Sequence, residues 1–468
     1  MADLFKPRGM FGMFKLLSLA SLFIIVILAR WIGNRTPVRY AKTLSQDDDT
    51  TTVNPAGRSF IEQIKSVVSP VVQAVMGFAS GQVKSGPVAV SLNQTLDVVL
   101  WRSKKKGEIP YYRIPVLTYT PKGNLVAIAE GRRKSQKDEN PKIFLVKRST
   151  DGGETWPPSQ RIVDDGNKGF KISSYIGTIF VDDTTATIFL MYVYCEFCPT
   201  RSLMLINSTD DGITWGRPRN ITDHVGKDYA THPSPGYGIQ KKHSPSKGRL
   251  VVCGHGFHDG KGLVLLLSDD HGVTWRHGAF VPSVPFQDNT MGTFNPDECQ
   301  PVELPDGSLY IVVRNQHQYK CHCKVVMRSF DGGETLPREH MFLDRALVEP
   351  RITSGLWYHN GVLFYSGPNR PLAREDLYLR WSHNHGHTWT KGLQIWDDLA
   401  GYSVITMVPN DQEHLYMIYE RGTLKYFDEI ALVKLKISMM IKNDTSLIKV
   451  GANPHELISQ RTPDLRQN

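Results

Sequence analysis

Five copies of one eight-residue frame, S-x-D-x-G-x-T-W, determine the fold of this 468-residue chain. The copies are STDGGETW (149–156), STDDGITW (208–215), SDDHGVTW (268–275), SFDGGETL (329–336) and SHNHGHTW (382–389). In such a turn the acidic side chain accepts hydrogen bonds from backbone amides, and the glycine adopts a positive φ. The third residues stand at 151, 210, 270, 331 and 384, a nearly constant period. A period of about 50 residues or more predicts the repeated four-stranded units of a β-propeller.

The segments between these turns have the composition of strands. Short β-branched or aromatic runs alternate with turn residues, as in LVAIAEG (125–131), TIFLMYVY (187–194) and SLYIVVRN (308–315). LPDGSL (304–309) contains an Asp-Gly pair, which favours a tight hairpin turn. Helical periodicity is sparse from about residue 96 to residue 440. We therefore predict an all-β fold for this part of the chain.

The N-terminal part has a different character. Lys6, Arg8 and Lys15 precede an apolar run at 16–29 that Arg30 closes, which is typical of a secretory signal. Both a cleaved signal peptide and an uncleaved signal anchor fit this pattern. Apolar residues at helical spacing around 60–83 predict an amphipathic helix. The predicted domains are a signal or anchor (1–30), a stalk or propeptide (31–95), a propeller (96–440) and a C-terminal tail (441–468).

Composition and charge limit the classes of function. The chain is 40% hydrophobic and 22% charged, as in ordinary globular proteins. A formal net charge of +9 would attract nucleic acid, acidic lipid or acidic glycans, but no nucleic-acid-binding module is recognisable. We therefore expect no nucleic-acid partner. Glycosylation sequons agree with a secretory compartment; they stand at Asn34, Asn93, Asn207, Asn220 and Asn443.

Six cysteines are present, and their spacing does not match a zinc site. Cys195 and Cys198 are separated by two residues, which in an oxidising lumen favours a local disulfide. The alternative is that the cysteines are buried thiols. The other four are Cys253, Cys299, Cys321 and Cys323.

The frames resemble the Asp boxes of sialidases, and six further motifs resemble the active-site motifs of that family, most closely those of the animal lysosomal type. They are YRIP (112–115), AIAEGRRKSQKDE (127–139), FNPDECQPVELPDGSLYIVVRN (294–315), AREDLYLRWS (373–382), AGYSV (400–404) and LYMIYERG (415–422). The resemblance covers about residues 96–440. It implies a six-bladed β-propeller whose Asp boxes are structural and lie on the outer edge.

The resemblance also implies a role for each motif residue. Asp138 would be the acid/base, Glu298 the catalytic glutamate and Tyr402 the nucleophile. The substrate carboxylate would bind three arginines: Arg113, Arg314 and Arg374. Arg132 would contact a ring hydroxyl, and Glu420 would orient Arg113.

The chemistry of a sialic acid requires these residue types. Its carboxylate suits planar guanidinium groups, each charge-assisted hydrogen bond contributing about 1.5–3 kcal/mol. The same carboxylate would repel an Asp or Glu nucleophile, whereas a neutral phenol avoids this repulsion. A phenol is a weak nucleophile until a base removes its proton, and Glu298 is the candidate base. This chemistry uses neither a metal nor a cofactor.

Several alternatives remain open at this stage. Glu303 could replace Glu298, Glu139 could replace Asp138, and the third arginine could be one of Arg351, Arg370 and Arg380. The histidines, including His255 and His322, are interpreted as structural. Functionally, the alternatives are a sialic-acid-binding lectin, a trans-sialidase and a structural propeller.

The resemblance further implies a cellular setting. The substrates would be sialylated glycans, and the location would be the secretory pathway, ending in the lysosome. A lysosomal carboxypeptidase-type protective protein is the implied partner. An uncleaved N-terminal segment would add membrane association.

Overall fold

The computed structural model describes residues 94–105, 108–167, 173–194, 201–226, 231–257, 261–284 and 293–442. All of them belong to one compact unit that spans 87–468. The predicted signal, nearly all of the stalk, most of the tail and the Cys195–Cys198 pair lie outside the described residues. No helix within the described ranges is long and apolar enough to cross a membrane.

The first sheet is a four-stranded antiparallel meander in which each strand pairs with the next. Its strands are β2 (Tyr111–Tyr119), β3 (Leu125–Arg132), β4 (Lys142–Ser149) and β5 (Gln160–Asp164). The fourth sheet repeats this plan with β16 (Pro296–Glu303), β17 (Leu309–Asn315), β18 (Cys323–Ser329) and β19 (Phe342–Val348). β2 and β3 are buried along nearly their whole length, which explains their continuous apolar sequences.

Two five-stranded sheets add short strands to the same plan. The second sheet contains β6 (Tyr175–Asp182), β7 (Thr187–Tyr194), β8 (Ser202–Ser208), β9 (Arg219–Asn220) and β11 (Gly236–Tyr237), which runs parallel to β6. The third contains β10 (His232–Pro233), β12 (Ile239–Gln240), β13 (Leu250–Phe257), β14 (Lys261–Ser268) and β15 (Arg276–Val281).

The fifth sheet has seven strands and joins the two ends of the described chain. In spatial order they are β1 (Gln94–Arg102), β25 (Glu429–Lys436), β24 (Asp411–Gly422), β23 (Leu393–Val408), β22 (Glu375–Ser382), β21 (Val362–Pro368) and β20 (Gly355–His359). β23 has 16 residues; its first half pairs with β22 and its second half with β24. Because this strand continues from one pairing to the other, the described residues form five hydrogen-bonded sheets instead of the six separate sheets predicted.

The sheets surround a common core. The first strands of successive meanders are neighbours, in the cyclic order β2, β6, β13, β16, β20, β23 and back to β2. One cluster of buried apolar side chains draws on all five sheets; examples are Val116, Ile179, Leu265, Ile311 and Val404. The prediction of an all-β chain with a propeller-like arrangement is confirmed. The helical segments are short: α1 (Thr222–Val225), a 3₁₀ turn (Arg338–His340) and α2 (Ile437–Lys442).

Each Asp-box turn begins at the last residue of a third strand: β4, β8, β14, β18 or β22. In all five turns the serine Oγ accepts a hydrogen bond of 2.9 Å from the glycine amide and donates one to the third residue. The glycines have φ between 81° and 94°, a region that a side chain would disfavour. Asn384 accepts the Thr388 amide at 2.8 Å, as the aspartates do in the other copies. Leu336, which replaces the tryptophan, packs against the common core.

The four described cysteines form two disulfides, Cys253–Cys299 and Cys321–Cys323. Cys253–Cys299 links β13 to β16, next to Glu298, and so ties two neighbouring sheets together. Sequence could not reveal this pairing because the two cysteines are 46 residues apart and meet only through sheet packing.

Candidate active site

The predicted site residues lie on strands or on the loops that lead into them, and most belong to the first two strands of their meanders. Arg113 lies on β2, Glu298 on β16 and Tyr402 on β23, which are three of the strands in the central ring. Arg314 and Glu420 lie on the second strands, β17 and β24. Since β2, β16 and β23 belong to the same ring of neighbouring strands, side chains far apart in sequence can share one pocket.

Tyr402, Glu298 and Arg314 form a hydrogen-bonded cluster. The Tyr402 hydroxyl donates to Glu298 Oε1, and Arg314 Nη1 donates to Glu298 Oε2 at 2.8 Å. Arg314 Nη1 also lies 3.3 Å from the Tyr402 oxygen. All three side chains are largely buried. The phenol is therefore hydrogen-bonded to a carboxylate that can accept its proton.

The charges in this cluster favour a neutral phenol beside an ionised carboxylate. Burial raises the pKa of Tyr402, and the Glu298 charge raises that pKa further, although Arg314 and Arg374 oppose both effects. Burial also raises the pKa of Glu298, but Arg314, His255 and the hydrogen bonds from Tyr402 and Arg314 outweigh it. The pKa of Glu298 is thus held below its ordinary value. The phenol therefore carries its proton, and the ionised carboxylate in contact with it can accept that proton.

Arg113 is held by Glu420. Arg113 Nε donates to Glu420 Oε1 at 2.6 Å, and both side chains are buried. Glu420 also accepts hydrogen bonds from the backbone amides of Ile114, at 2.9 Å, and of Tyr402, at 3.1 Å. One buried carboxylate therefore fixes both an arginine on β2 and the backbone of the candidate nucleophile on β23.

Arg374 lies beside these groups. Its guanidinium carbon is 5.5 Å from the Tyr402 ring centre and 5.1 Å from the Tyr426 ring centre. The Arg113 guanidinium lies 5.0 Å from the same Tyr426 ring. Arg113, Arg314 and Arg374 are thus brought around Tyr402 and Tyr426.

Of the three other arginines considered for this position, the guanidinium groups of Arg370 and Arg380 are engaged elsewhere, and Arg351 contributes a backbone carbonyl. The Arg351 carbonyl accepts a hydrogen bond from Arg374 at 2.6 Å. Arg370 pairs with Asp376 at 3.4 Å, and Arg380 donates to the Thr390 carbonyl at 2.9 Å. Among these candidates, Arg374 is the one whose guanidinium contacts Tyr402.

Asp138 stands on the loop between β3 and β4, and its side chain is 62% exposed. Asp138 Oδ1 lies 2.8 Å from Arg132 Nη2, which also lies 2.8 Å from Glu130 Oε2. Arg132 is fully buried. The structure thus shows Arg132 in contact with the candidate acid, while its predicted contact with a sugar hydroxyl stays a prediction.

Positive charge dominates the electrostatics of Asp138. Partial desolvation by the surrounding protein raises the pKa of its carboxyl, although the side chain is largely exposed. The charges of Arg132, Lys142 and Arg113 outweigh this and keep the pKa below its ordinary value. Its neighbour Glu139 instead faces Lys137, at 4.0 Å. Geometry thus favours Asp138 over Glu139 as the acid/base. Glu303, the alternative to Glu298, is bound by Lys241 at 2.6 Å and by the His243 amide at 3.1 Å.

Sequence reasoning missed three side chains at the site. Tyr426 supplies the ring shared by Arg113 and Arg374, but it lies in a loop without a motif. His255, interpreted as structural, lowers the pKa of Glu298 and lies 3.6 Å from Asp297. Lys142 is buried against the Asp138 loop, and its Nζ donates to the Asp138 carbonyl at 2.6 Å. A lysine at the first residue of a strand carries no motif that would identify this contact.

Within the part of the chain that the structure describes, no group of three or more His, Cys, Asp or Glu side chains could hold a metal ion. The described site offers the phenol of Tyr402, the carboxylates of Glu298 and Asp138, and the guanidinium groups around them.

Comparison with known proteins gives consistent matches. A family described as BNR repeat-like domain matches residues 123–416. The sialidase of Micromonospora viridifaciens is 30% identical over 349 residues, which cover 67% of this chain and 50% of that protein. This chain therefore spans about half the length of that relative.

Two solved structures extend the comparison. The Hadza microbial sialidase Hz136 has a TM-score of 0.62 at 25% identity, over 72% of this chain and 68% of that one. The intramolecular trans-sialidase from Ruminococcus gnavus has a TM-score of 0.59 at 15% identity, over 75% of this chain and 99% of that one. At 15% identity the second match shows a shared fold alone.

Proposed function

We propose, since the chain belongs to the BNR repeat-like family and within it to the sialidases, that it is a retaining exo-α-sialidase. Its substrates would be terminal sialic acids on glycoproteins, glycolipids and oligosaccharides. The observation that carries the proposal is the hydrogen bond from the Tyr402 hydroxyl to Glu298, with Arg314 bound to the same carboxylate. A lectin needs the arginines but has no use for a phenol coupled to a base.

Substrate binding would begin with the carboxylate on the anomeric carbon. Arg113, Arg314 and Arg374 offer it fixed N–H donors, which suit a planar anion better than lysines would. The Arg113–Glu420 ion pair orients one of these donors before the substrate arrives. Part of the cost of ordering the site is thereby met during folding.

The first chemical step forms a glycosyl–enzyme bond. The Tyr402 oxygen attacks the anomeric carbon while its proton passes to Glu298. The bond between the anomeric carbon and the glycosidic oxygen breaks, and Asp138 protonates that oxygen as the aglycone leaves. Arg314, beside both the phenol and its base, stabilises the phenolate as it develops.

The second step reverses these proton transfers. Water attacks the anomeric carbon while the Asp138 carboxylate accepts its proton, and the Tyr402 oxygen leaves and recovers its proton from Glu298. Two displacements at one carbon retain its configuration, as in other glycosidases that use a covalent intermediate. Each side chain ends in its starting protonation state.

The six-bladed form of the propeller is part of this proposal. The cyclic contacts of six first strands support it, as does the division of β23 between two pairing partners. On this interpretation, the seven-stranded sheet is two blades joined by one bent strand, and β1 closes the sixth blade by pairing with β25.

A trans-sialidase is the second candidate, since the fold shared with the intramolecular trans-sialidase from Ruminococcus gnavus is compatible with it. It would use the same residues but release the sugar to an acceptor other than water. The lysosomal location and the carboxypeptidase-type partner stay predictions from the sequence resemblance, and membrane association stays a prediction from the N-terminal segment.

The test is to follow 3′-sialyllactose and a 4-methylumbelliferyl sialoside with the wild-type chain between pH 4 and pH 7. Proton NMR would show whether the α-anomer of free sialic acid appears first, as retention requires. Initial release of the β-anomer would contradict the mechanism. Binding without turnover would favour the lectin, and transfer to added lactose or formation of an anhydro sugar would favour the transferase.

A further inference from the structure

The loop that carries Asp138 poses a positioning problem. It spans residues 133–141 between β3 and β4, and the Asp138 side chain is 62% exposed. A general acid must be held within hydrogen-bond reach of the departing oxygen, and a misplacement of about 1 Å can cost about 100-fold in rate. Something must therefore hold the backbone of this loop.

Lys142, the first residue of β4, makes that contact. Its Nζ donates to the Asp138 carbonyl at 2.6 Å, to Ser173 Oγ at 2.9 Å and to the Ser174 carbonyl at 3.0 Å. An ammonium group has three N–H donors, so all three are used. Lys142 thus links the loop of the first sheet to the segment that enters the second.

Ser173 completes the link. It is fully buried, and its Oγ lies 3.0 Å from the Asp138 carbonyl and 3.0 Å from the Asn140 carbonyl. The loop backbone is therefore bound at two points by two buried side chains. Both points lie within two residues of the candidate acid.

The buried charge of Lys142 has a cost that only specific partners offset. Lys142 is fully buried, 3.9 Å from Glu130 Oε2 and 3.6 Å from the Tyr175 ring centre. Burial lowers the pKa of Lys142 to about 8, so the group stays charged at neutral and acidic pH. A methionine of similar size would bring no buried charge, so a role in packing alone does not account for the lysine.

We infer that Lys142, together with Ser173, is a positioning residue that holds Asp138 where it can protonate the leaving group. This inference rests on the proposed sialidase function, since it assigns a role to Asp138. Lys142 holds Asp138 through the loop backbone, and its charge also lowers the pKa of the Asp138 carboxyl. It is not placed in contact with the substrate.

The inference predicts a dependence on the leaving group. Lactose is a poor leaving group and needs its proton from Asp138, whereas 4-nitrophenol leaves readily without one. A misplaced acid should therefore slow the hydrolysis of 3′-sialyllactose much more than that of a 4-nitrophenyl sialoside. General damage to the pocket would slow both substrates alike.

The experiment compares Lys142→Met and Ser173→Ala with Lys147→Met. Lys147 lies on the same strand, but its Nζ donates to the Pro157 carbonyl, away from the loop. We expect Lys142→Met to lower kcat/KM for 3′-sialyllactose by about 100-fold and that for the 4-nitrophenyl sialoside by less than about 5-fold. Lys147→Met should change neither value.

Ser173→Ala keeps the lysine and therefore tests the inference independently, in case Lys142→Met fails to fold. It should show the same selectivity with a loss of about 10-fold on 3′-sialyllactose. Equal losses on both substrates, or no loss on either, would overturn the inference.

A readout without activity separates this inference from the proposed function. Amide hydrogen exchange in 133–141 should be faster in Lys142→Met and Ser173→Ala than in wild type, and unchanged in Lys147→Met. If wild type hydrolyses no sialoside, the proposed function fails, and with it the catalytic role inferred for Lys142 and Ser173. Unchanged exchange in both variants would show that Lys142 does not hold the loop, whatever the activity.

Discussion

The Asp-box turns and the active site are built from contacts of opposite range. In each turn the serine, acidic or amide side chain and threonine bond to one another within four residues. At the site, Arg113 and Glu420 are 307 residues apart, and Tyr402 and Glu298 are 104 apart. The turns are therefore encoded locally and five times over. The site exists once and only when the ring of strands has closed.

The largest effect should follow Tyr402→Phe, which removes the oxygen proposed as the nucleophile from the long-range cluster. Loss of a nucleophile costs about 10⁴-fold or more in kcat. Sialoside binding and the melting temperature should change little, because the three arginines and the ring remain. Activity within about 10-fold of wild type would contradict the role of Tyr402.

Asp138→Asn should lower kcat/KM for 3′-sialyllactose by about 1,000-fold, since general acid catalysis contributes about 10²–10⁴-fold. The matched control is Glu139→Gln, the neighbouring carboxylate, which should leave both sialyllactose and aryl sialoside turnover unchanged. If Glu139→Gln is the variant that fails, the acid has been assigned to the wrong residue.

For 3′-sialyllactose, kcat/KM should fall by about 100-fold between pH 5 and pH 7. Asp138 must be protonated to act as acid, and its pKa is held below the ordinary value, so its protonated fraction falls about tenfold per pH unit. Glu298 must be ionised, and since its pKa is also held low it imposes no opposing limb in this range. A rise in kcat/KM from pH 5 to pH 7 would contradict these assignments.

Glu420→Gln tests the Arg113–Glu420 contact, which joins residues 307 positions apart in sequence. It leaves the buried Arg113 charge without its carboxylate, which typically costs about 3–5 kcal/mol of unfolding free energy. We expect a KM about 10-fold higher, because the arginine is no longer oriented, with a smaller effect on kcat. Chemical denaturation and steady-state kinetics measure the two effects separately.

The smallest effect should follow Asp331→Ala in the fourth Asp box. The Asp331 carboxylate accepts hydrogen bonds from Ser329 Oγ at 2.7 Å and from the Thr335 amide at 3.0 Å. When the carboxylate is removed, water bonds to these donors in its place and recovers part of the lost free energy. We expect a decrease of about 1 kcal/mol in unfolding free energy and no change in kcat/KM. A change in activity without a change in stability would end the distinction between the two regions.

Sequence predicted the turns and strands because their signals are local. The Ser-Asp-Gly-Thr spacing specifies its own hydrogen bonds, and alternating turn residues bound the strands. The number of separate sheets was not predictable in this way. β23 pairs with both β22 and β24, and nothing within its 16 residues marks the point where one partner replaces the other.

Sequence also nominated the residues of the site, through motifs. It could not supply Tyr426 or Lys142, whose roles arise from packing between segments. Tyr426 acts by lying beside Arg113 and Arg374, and Lys142 by reaching a carbonyl across a loop. The disulfide between Cys253 and Cys299 belongs to the same class, since neighbouring sheets bring its sulfurs together.

The pairing of β1 with β25 has a consequence for biosynthesis. Asp97 and Arg421, 324 residues apart, form an ion pair across the closing sheet. During translation β1 therefore stays without its hydrogen-bonding partner β25 until nearly all of the later strands have left the ribosome. Non-local pairing of this kind is slow and exposes the chain to aggregation. A growing chain that ended before Glu429 would lack the partner of β1, so we expect chaperone dependence and the onset of activity to coincide with the synthesis of the last strand.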